Sequence, residues 1–426
     1  MIGPMYRAFL PAIALAILCA VPARGQGVTA TADTTLVREA FDEYENRFRY
    51  TVLLDPFALY SRTYGFGISG HVTGYNLLWP GSRFRLMARP QQRRGIYALT
   101  LRTHDPATTD VYGLFRTTFE TNGAYRYYGV GQSSAFDNLI FFDKDLIDVA
   151  ARVGFEFLED HLTIQPMVGY LWNKASKDEP LDSAFVRMDR RSQEALLYAL
   201  GVPITEDGRA EDTHYGYRAG LELALDYRDR GAYPTGGFLV RGAWNRYQSL
   251  SDLDVIYDRF DASAHGFIRV VGSHVLALRA WVQSTADRGE DPIPLYLVPK
   301  LDFHKLGGYR NQRHIDLDLV NVSAEYRWPL INLVDLYQVS MYAQAGLGGV
   351  YEDVWNDFEL GVTFERDLVP GTNALRPGFG LGIRVSGLEQ QIDYIDWMLG
   401  VGPEGFTLYA FRFVVEIGDT RWPSHD

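Results

Sequence analysis

What most limits the fold of this chain is an alternation of side-chain type with a period of two. Between His214 and Asp229 the odd positions run Tyr215, Tyr217, Ala219, Leu221, Leu223, Leu225 and Tyr227, and the even ones Gly216, Arg218, Gly220, Glu222, Ala224, Asp226 and Arg228. Successive side chains of an extended strand point to opposite faces. One face here is apolar with tyrosines towards both ends, and the other is small or charged. In lipid every backbone polar group needs a partner, so strands of this kind must close into a barrel, with aromatic girdles at the two interfaces.

The pattern recurs. Val149, Ala151, Val153, Phe155 and Phe157 alternate with Ala150, Arg152, Gly154 and Glu156, and Val320, Val322, Ala324, Tyr326 and Trp328 with Asn321, Ser323, Glu325 and Arg327. Val339 to Gly348, Gly378 to Val385, and Tyr409, Phe411, Phe413, Val415 and Ile417 repeat it. Each run is near the roughly 9–11 residues of a tilted spanning strand. Bacterial barrels mostly have even strand numbers. The expectation is therefore an all-β transmembrane antiparallel barrel of about 16 strands, with two faint ones before residue 215; 14 is the other number that fits. A soluble exported sandwich or propeller is the competing fold, but its strands would be shorter.

Turn formers divide the runs: Pro80-Gly81-Ser82, Glu159-Asp160, Pro234 to Gly237, and Gly272-Ser273. They are expected as periplasmic turns. The longer polar stretches 174–212, 286–315 and 351–373 are expected as extracellular loops, the first with a short helix in Ser183 to Leu200.

The N-terminus reads as a secretory signal peptide: a charged start to Arg7, an apolar run from Ala8 to Ala20, then Ala23-Arg24-Gly25. Cleavage after Gly25 would leave Gln26 first and remove Cys19, the only cysteine. The run is short for a membrane anchor. An exported chain without cysteine has neither disulfides nor thiolate metal sites. Residues 26–49 form a short periplasmic segment in which Leu36, Val37, Ala40, Phe41, Tyr44 and Phe48 fall near helical spacing. It is either a helix that plugs the lumen or binds a partner, or a loosely docked tail. Residues 50–426 are the barrel. The 27 tyrosines, 24 phenylalanines and 41 glycines suit one, and the net charge of −12 argues against nucleic acid.

No catalytic motif is present. The nine histidines, including His304 and His314, have no zinc spacing, and no serine sits in a nucleophile elbow. No enzyme activity, metal or cofactor is expected. Arg218, Glu222, Asp226, Arg228, Glu325, Arg327 and Arg384 fall on inferred lumen faces, where they either line an ion path or pair with one another.

Three segments resemble the BamA/TamA-like barrel superfamily, the bacterial surface antigen type. They are Asp226-Tyr227-Arg228-Asp229 with Pro234-Thr235-Gly236-Gly237-Phe238; Tyr127-Tyr128-Gly129-Val130-Gly131-Gln132; and Leu306-Gly307-Gly308-Tyr309-Arg310-Asn311-Gln312-Arg313 with Ala324 to Pro329. The third resembles the family's sixth extracellular loop, whose arginine folds into the lumen onto acids of the wall. Here Gly307 stands at that place. Arg310 or Arg313 could substitute, reaching Glu325 or another acid; Arg327, Glu222 and Asp226 are the other candidate lumen groups.

The resemblance implies an outer-membrane protein that helps protein or lipid insert or cross at a seam between first and last strands. That seam is expected near Tyr64–Tyr75 and Phe406–Ile417. Family members that handle client chains carry POTRA domains, for which residues 26–49 are too few, so the chain looks like a stand-alone barrel. Its partners would be the lipid bilayer and a separate periplasmic protein. A passive porin-like channel and a structural surface protein are the alternatives.

Overall fold

The computed structural model describes residues 52–414 except 62–63, 76–81, 104–110, 159–160, 178–182, 201–209, 230–233, 252, 303–304, 311, 334–336, 367–372 and 388–393. The expected signal peptide, residues 26–49, His304 and Ile417 lie outside the described residues, as do the turn residues Pro80, Gly81, Glu159 and Asp160.

Sixteen long strands form one antiparallel sheet among the described residues. They are β1 (Val52–Ser61), β2 (Gly65–Tyr75), β3 (Arg83–Pro90), β4 (Arg94–Arg102), β5 (Val111–Tyr127), β6 (Ile140–Phe157), β7 (Leu162–Lys177), β8 (Ala210–Asp226), β9 (Gly237–Ser249), β10 (Ile256–Arg269) and β11 (Val275–Asp287), followed after a loop hairpin, β12 (Lys300–Leu301) with β13 (His314–Ile315), by β14 (Asp318–Leu333) and β15 (Tyr337–Tyr351). A short parallel piece, β16 (Glu359–Val362), precedes β17 (Ala374–Gly387), β18 (Tyr394–Gly402) and β19 (Gly405–Val414). Each long strand pairs with its neighbours in sequence, so the topology is up-and-down. Between β1 and β19 the edges approach each other, but no ladder joins them among the described residues.

The first strand corrects the sequence reading of the seam. Tyr64 precedes β2, and β2 carries residues 65–75, so the edge of the sheet is β1, one strand earlier. Leu53-Leu54 and Pro56 break the alternation in β1 and hid it. Strands β5 to β8 run 16–18 residues, well past the length a bilayer needs. Their extra turns of ladder build a wall on which the loops rest.

Burial confirms the direction of the alternation. Phe115, Phe119, Leu221, Leu223, Leu381 and Ile383 are exposed on the outer face, whereas Arg152, Arg218, Glu222, Glu325, Arg327 and Arg384 are buried in the lumen. A water-soluble sandwich would place these sets the other way round. No helix of the described residues is long and apolar enough to cross a membrane.

The connections at one end are 62–64, 91–93, 128–139, 178–209, 250–255, 288–317, 352–373 and 403–404, and the long ones all lie there. The stretch 288–317 is the sixth in that series. The fourth holds two helices, α1 (Ser183–Arg187) and α2 (Arg190–Ala199), and the seventh a short one, α3 (Val354–Asp357). Asp189 caps α2, its carboxylate accepting from the Ser192 amide at 2.8 Å. Apolar side chains of α1 and α2, with Leu295, Tyr296, Val298 and Ile315 of the sixth loop, pack on Tyr125, Phe142 and Leu171 of the wall to form one buried cluster. The largest apolar cluster among the described residues is thus a cap over one mouth of the barrel.

Candidate functional site

The sixth loop is built to lie flat against the inside of the wall. Its tip is Leu306-Gly307-Gly308-Tyr309, with Leu306 and Tyr309 fully buried. Gly308 has φ +90°, and a Cβ there would collide with the backbone of Val401 on β18. On β17, Gly378 leaves space for the Gly307 carbonyl and the Leu306 side chain. A side chain at either position would push the two backbones apart. The Tyr309 hydroxyl donates to the Pro377 carbonyl at 3.0 Å and fixes the loop's height along β17. On the far side of β15, Arg279 of β11 donates to the Lys305 carbonyl and to Asn321 of β14.

Arg313 closes the far side of the loop. Its guanidinium is fully buried, ion-paired with Glu404 of the β18–β19 turn, and donates to the Ser134 hydroxyl at 2.9 Å and carbonyl at 2.8 Å. It also lies over the Tyr128 ring at 4.9 Å. Arg310 makes no such anchor; it stacks on Phe136 at 4.4 Å. The acid that meets the loop is Glu404, not Glu325. No sequence motif marks Glu404, which lies in a two-residue turn between weakly marked strands.

The lumen charges expected as partners for the loop pair within the wall. Glu325 is held by Arg384 at 2.8 and 3.0 Å and by Arg327 at 2.6 Å. Glu222 is held by Arg152 at 2.8 Å and Arg241 at 2.6 Å, and Arg218 meets Asp148 at 2.5 Å. Asp226 binds Arg228 at 2.6 Å at the short-turn end. Two of these clusters are Arg–Glu–Arg triads, each with one carboxylate between two guanidiniums. A strand face read alone shows that such groups point inward, but not which strand supplies the partner.

The other two motifs also find structural work. In the β8–β9 turn the Asp229 carboxylate accepts from the Thr235 amide at 2.8 Å and from its hydroxyl, while Arg269 donates to the same hydroxyl at 2.7 Å. The segment Tyr127 to Gln132 is a hub under the cap. Tyr127 donates to the Ser192 carbonyl at 2.6 Å, Val130 to the Ser192 hydroxyl at 2.9 Å, and Gly131 to the Ile315 carbonyl at 2.9 Å. Arg376 of β17 donates to the Gln132 carbonyl at 2.9 Å. This one segment therefore ties the third loop to the fourth, the sixth and β17.

Two further groups matter electrostatically. Arg191 of α2 grips Asp316 of the sixth loop with two bonds of 2.6 and 3.1 Å, yet burial pushes the Asp316 carboxyl above the usual range. Arg191, on the exposed side of the bridge, is shifted upward by the same contact, and burial is the larger influence on Asp316. Burial, then Arg313 and Arg376, hold the His314 ring well below its ordinary value. Of the remaining histidines, His161 stacks on Tyr227 at 4.1 Å and His274 meets the Tyr326 hydroxyl at 3.0 Å. Among the described residues no group of His, Cys, Asp or Glu could hold a metal ion.

The seam residues give a simpler picture. Phe406 projects from β19 and is exposed, in the strand next to the seat of the loop on β17 and β18. Tyr64 is buried beside Arg94, away from the edge, and Tyr75 ends β2.

No protein-family model matches the sequence, and no curated protein matches it. Solved structures do. BamA of Haemophilus ducreyi lacking POTRA domains 1–3 is 15% identical, with a TM-score of 0.57 over 89% of this chain and 77% of that one. CdiB of Escherichia coli is 12% identical, with a TM-score of 0.51 over 86% and 67%. The chain shares its fold with these two outer-membrane barrels.

Proposed function

We propose that this protein sits in the outer membrane and uses the edges β1 and β19 as a seam at which a protein or lipid is inserted or passed across. The observation that carries this reading is the seat of the sixth loop. Its tip rests on β17 and β18, and its Arg313 holds the turn that leads into β19, so the state of the loop and the state of that edge are mechanically linked. The absence of a β1–β19 ladder among the described residues is consistent with an edge that opens. The apolar outer face supports a bilayer setting, with the long-loop end outward. The cap over the mouth weighs against a wide aqueous pore. Residues 26–49 are the segment we assign to a separate periplasmic partner.

The test is a cysteine pair stepped along β1 and β19 in the mature chain, which has no other cysteine if the signal peptide is removed. Oxidation is expected to abolish insertion of a client barrel into vesicles holding this protein, with reduction restoring it. Undiminished insertion with the seam crosslinked would overturn the reading. Large, steady, ohmic openings of the purified barrel in a planar bilayer would replace it with a passive channel.

A further inference from the structure

Leu360 of β16, in the seventh loop, is the most exposed large apolar side chain among the described residues, at 91%. It has company. Phe358, Val362 and Phe364 follow at every second position and are exposed too, while Glu359, Gly361, Thr363 and Glu365 take the places between them. Phe358 and β16 are extended, so Phe358, Leu360 and Val362 share one face. Phe364 continues the alternation. An exposed apolar face of this kind marks a surface with a partner.

The backbone of this segment is held in place. Before it, the Val354 amide donates to the buried Asp318 carboxylate at 2.9 Å. Within it, β16 pairs in parallel with β17, and the Thr363 amide donates to the Leu375 carbonyl at 3.0 Å. After it, Arg376 donates to the Glu365 and Arg366 carbonyls at 3.4 and 3.3 Å, and Arg366 meets Asp137 of the third loop at 3.0 Å. The outward direction of the apolar face is therefore set by the fold. In water that direction would be costly.

The surroundings of the segment say what covers it. The outer face of β17 runs Val385, Ile383, Leu381, Phe379, Pro377, Leu375, and Ile383, Leu381 and Phe379 are exposed, as on a lipid-facing surface. Trp397 of β18, the register partner of Ile383, supplies an interfacial aromatic at the short-turn end. The roughly 9–11 residues that a tilted strand needs to cross the hydrocarbon reach from there to Leu375. Leu375 is buried, and its register partner on β16 is the exposed Val362. The apolar outer surface thus passes from β17 onto β16 at the outer level of the membrane.

We propose that Phe358, Leu360, Val362 and Phe364 enter the outer leaflet beside β17 and anchor the seventh loop to the lipid surface, with Glu359 and Glu365 left in the headgroup layer. The occupant is the bilayer and not another chain, because the face continues the lipid-facing surface of β17. The inference rests on the outer-membrane setting proposed above and not on the seam. Arg376, which holds the end of the segment, also donates to the Gln132 carbonyl, so the anchor ties the hub under the cap to the leaflet.

The experiment places one cysteine, labelled with an environment-sensitive fluorophore, in the full-length protein with Cys19, its only native cysteine, absent. The protein is refolded into phosphatidylcholine vesicles. Leu360→Cys is expected to show blue-shifted emission and strong quenching by lipids brominated high on the acyl chain. Its quenching by aqueous iodide is expected to be severalfold weaker than that of Glu352→Cys, an exposed position of the same loop. Val362→Cys stands in if Leu360→Cys does not fold, which heat-modifiable migration on gels shows. Leu381→Cys, on the outer face of β17, reports the bilayer setting by itself. Lipid quenching at Leu381 without lipid quenching at Leu360 overturns the anchor and leaves the bilayer setting standing, whereas lipid quenching at neither overturns both. Protection of Leu360 from iodide without lipid quenching would assign the face to a protein contact, such as a second copy, and also overturns the proposal.

Discussion

Arg313 holds Ser134 from two sides, donating to its hydroxyl at 2.9 Å and to its carbonyl at 2.8 Å while its third nitrogen meets Glu404. A single guanidinium thus joins the third loop, the sixth loop and the turn into the last strand. Removing one member of a buried, hydrogen-bonded ion pair costs about 3–5 kcal/mol, because the other charge stays buried. Arg313→Ala is expected to lower the thermal midpoint of the refolded barrel and raise its ion conductance. Arg313→Lys is expected to rescue little, since an ammonium cannot span the same three acceptors in the plane of a fork. Arg310→Ala, which removes one stacking contact of about 0.5–1 kcal/mol, should change either quantity far less. Equal effects of the two alanine variants, read by melting and planar-bilayer recording, would show that the anchor lies elsewhere.

Gly378 and Gly308 test the seat independently of any charge. Valine at Gly378 would occupy the space of Leu306 and the Gly307 carbonyl, and Gly308 adds a backbone conformation that other residues rarely adopt. Gly378→Val is expected to unseat the tip with Arg313 intact, so that a protease site engineered at Arg310 becomes cleavable from the long-loop side. The barrel itself should still form, because the β17 ladder on either side is untouched. Protection equal to that of the wild type would mean that the loop reaches its position without close backbone contact.

Much of this was legible in the residues. An alternation such as Leu221 to Leu225 fixes both strand and face, because a slip of one residue would exchange lipid and lumen sides. Runs of that quality imply about sixteen strands, and the described residues hold sixteen long ones. The edges were harder to read. In β1, Leu53-Leu54 and Pro56 interrupt the period, so the alternation alone starts the sheet one strand too late. The fate of lumen charges was harder still. Glu325 and Arg384 are 59 residues apart and meet only because β14, β15 and β17 lie side by side, which is a property of the closing sheet rather than of either strand.

The Glu325 triad makes a prediction of its own. Arg384 and Arg327 are both buried, and Glu325 is the acid they share. Glu325→Gln leaves two guanidiniums side by side in the lumen and is expected to destabilise the barrel by about 3–5 kcal/mol. Replacing Arg384 by Met in the same chain removes one of the repelling charges and should recover part of the loss. A double variant no more stable than the single one in denaturant titration would show that the triad is not an electrostatic unit.

Acid should loosen the sixth loop, and His314 is the reason. The groups facing its ring are Ser134 at 3.5 Å, Glu404 at 4.0 Å, Tyr309, Arg313 and Arg376. Burial and the two arginines hold the ring neutral well below its ordinary pKa. When the loop is released into water, the ring regains a value of about 6.5. Between the lowered value and about 6.5 the released loop therefore binds more protons than the docked one. Docking is at full strength above that range and weakens by up to about 1.4 kcal/mol for each pH unit within it. Conductance of the wild-type barrel is expected to rise reversibly as pH falls from about 7.5 to 5.5, a window set by that pKa. His314→Gln, which can still bond Ser134 but does not titrate, is expected to flatten the profile. If the variant follows the same curve as the wild type, the acid response belongs to another group, and His314 serves the loop only as a packed ring.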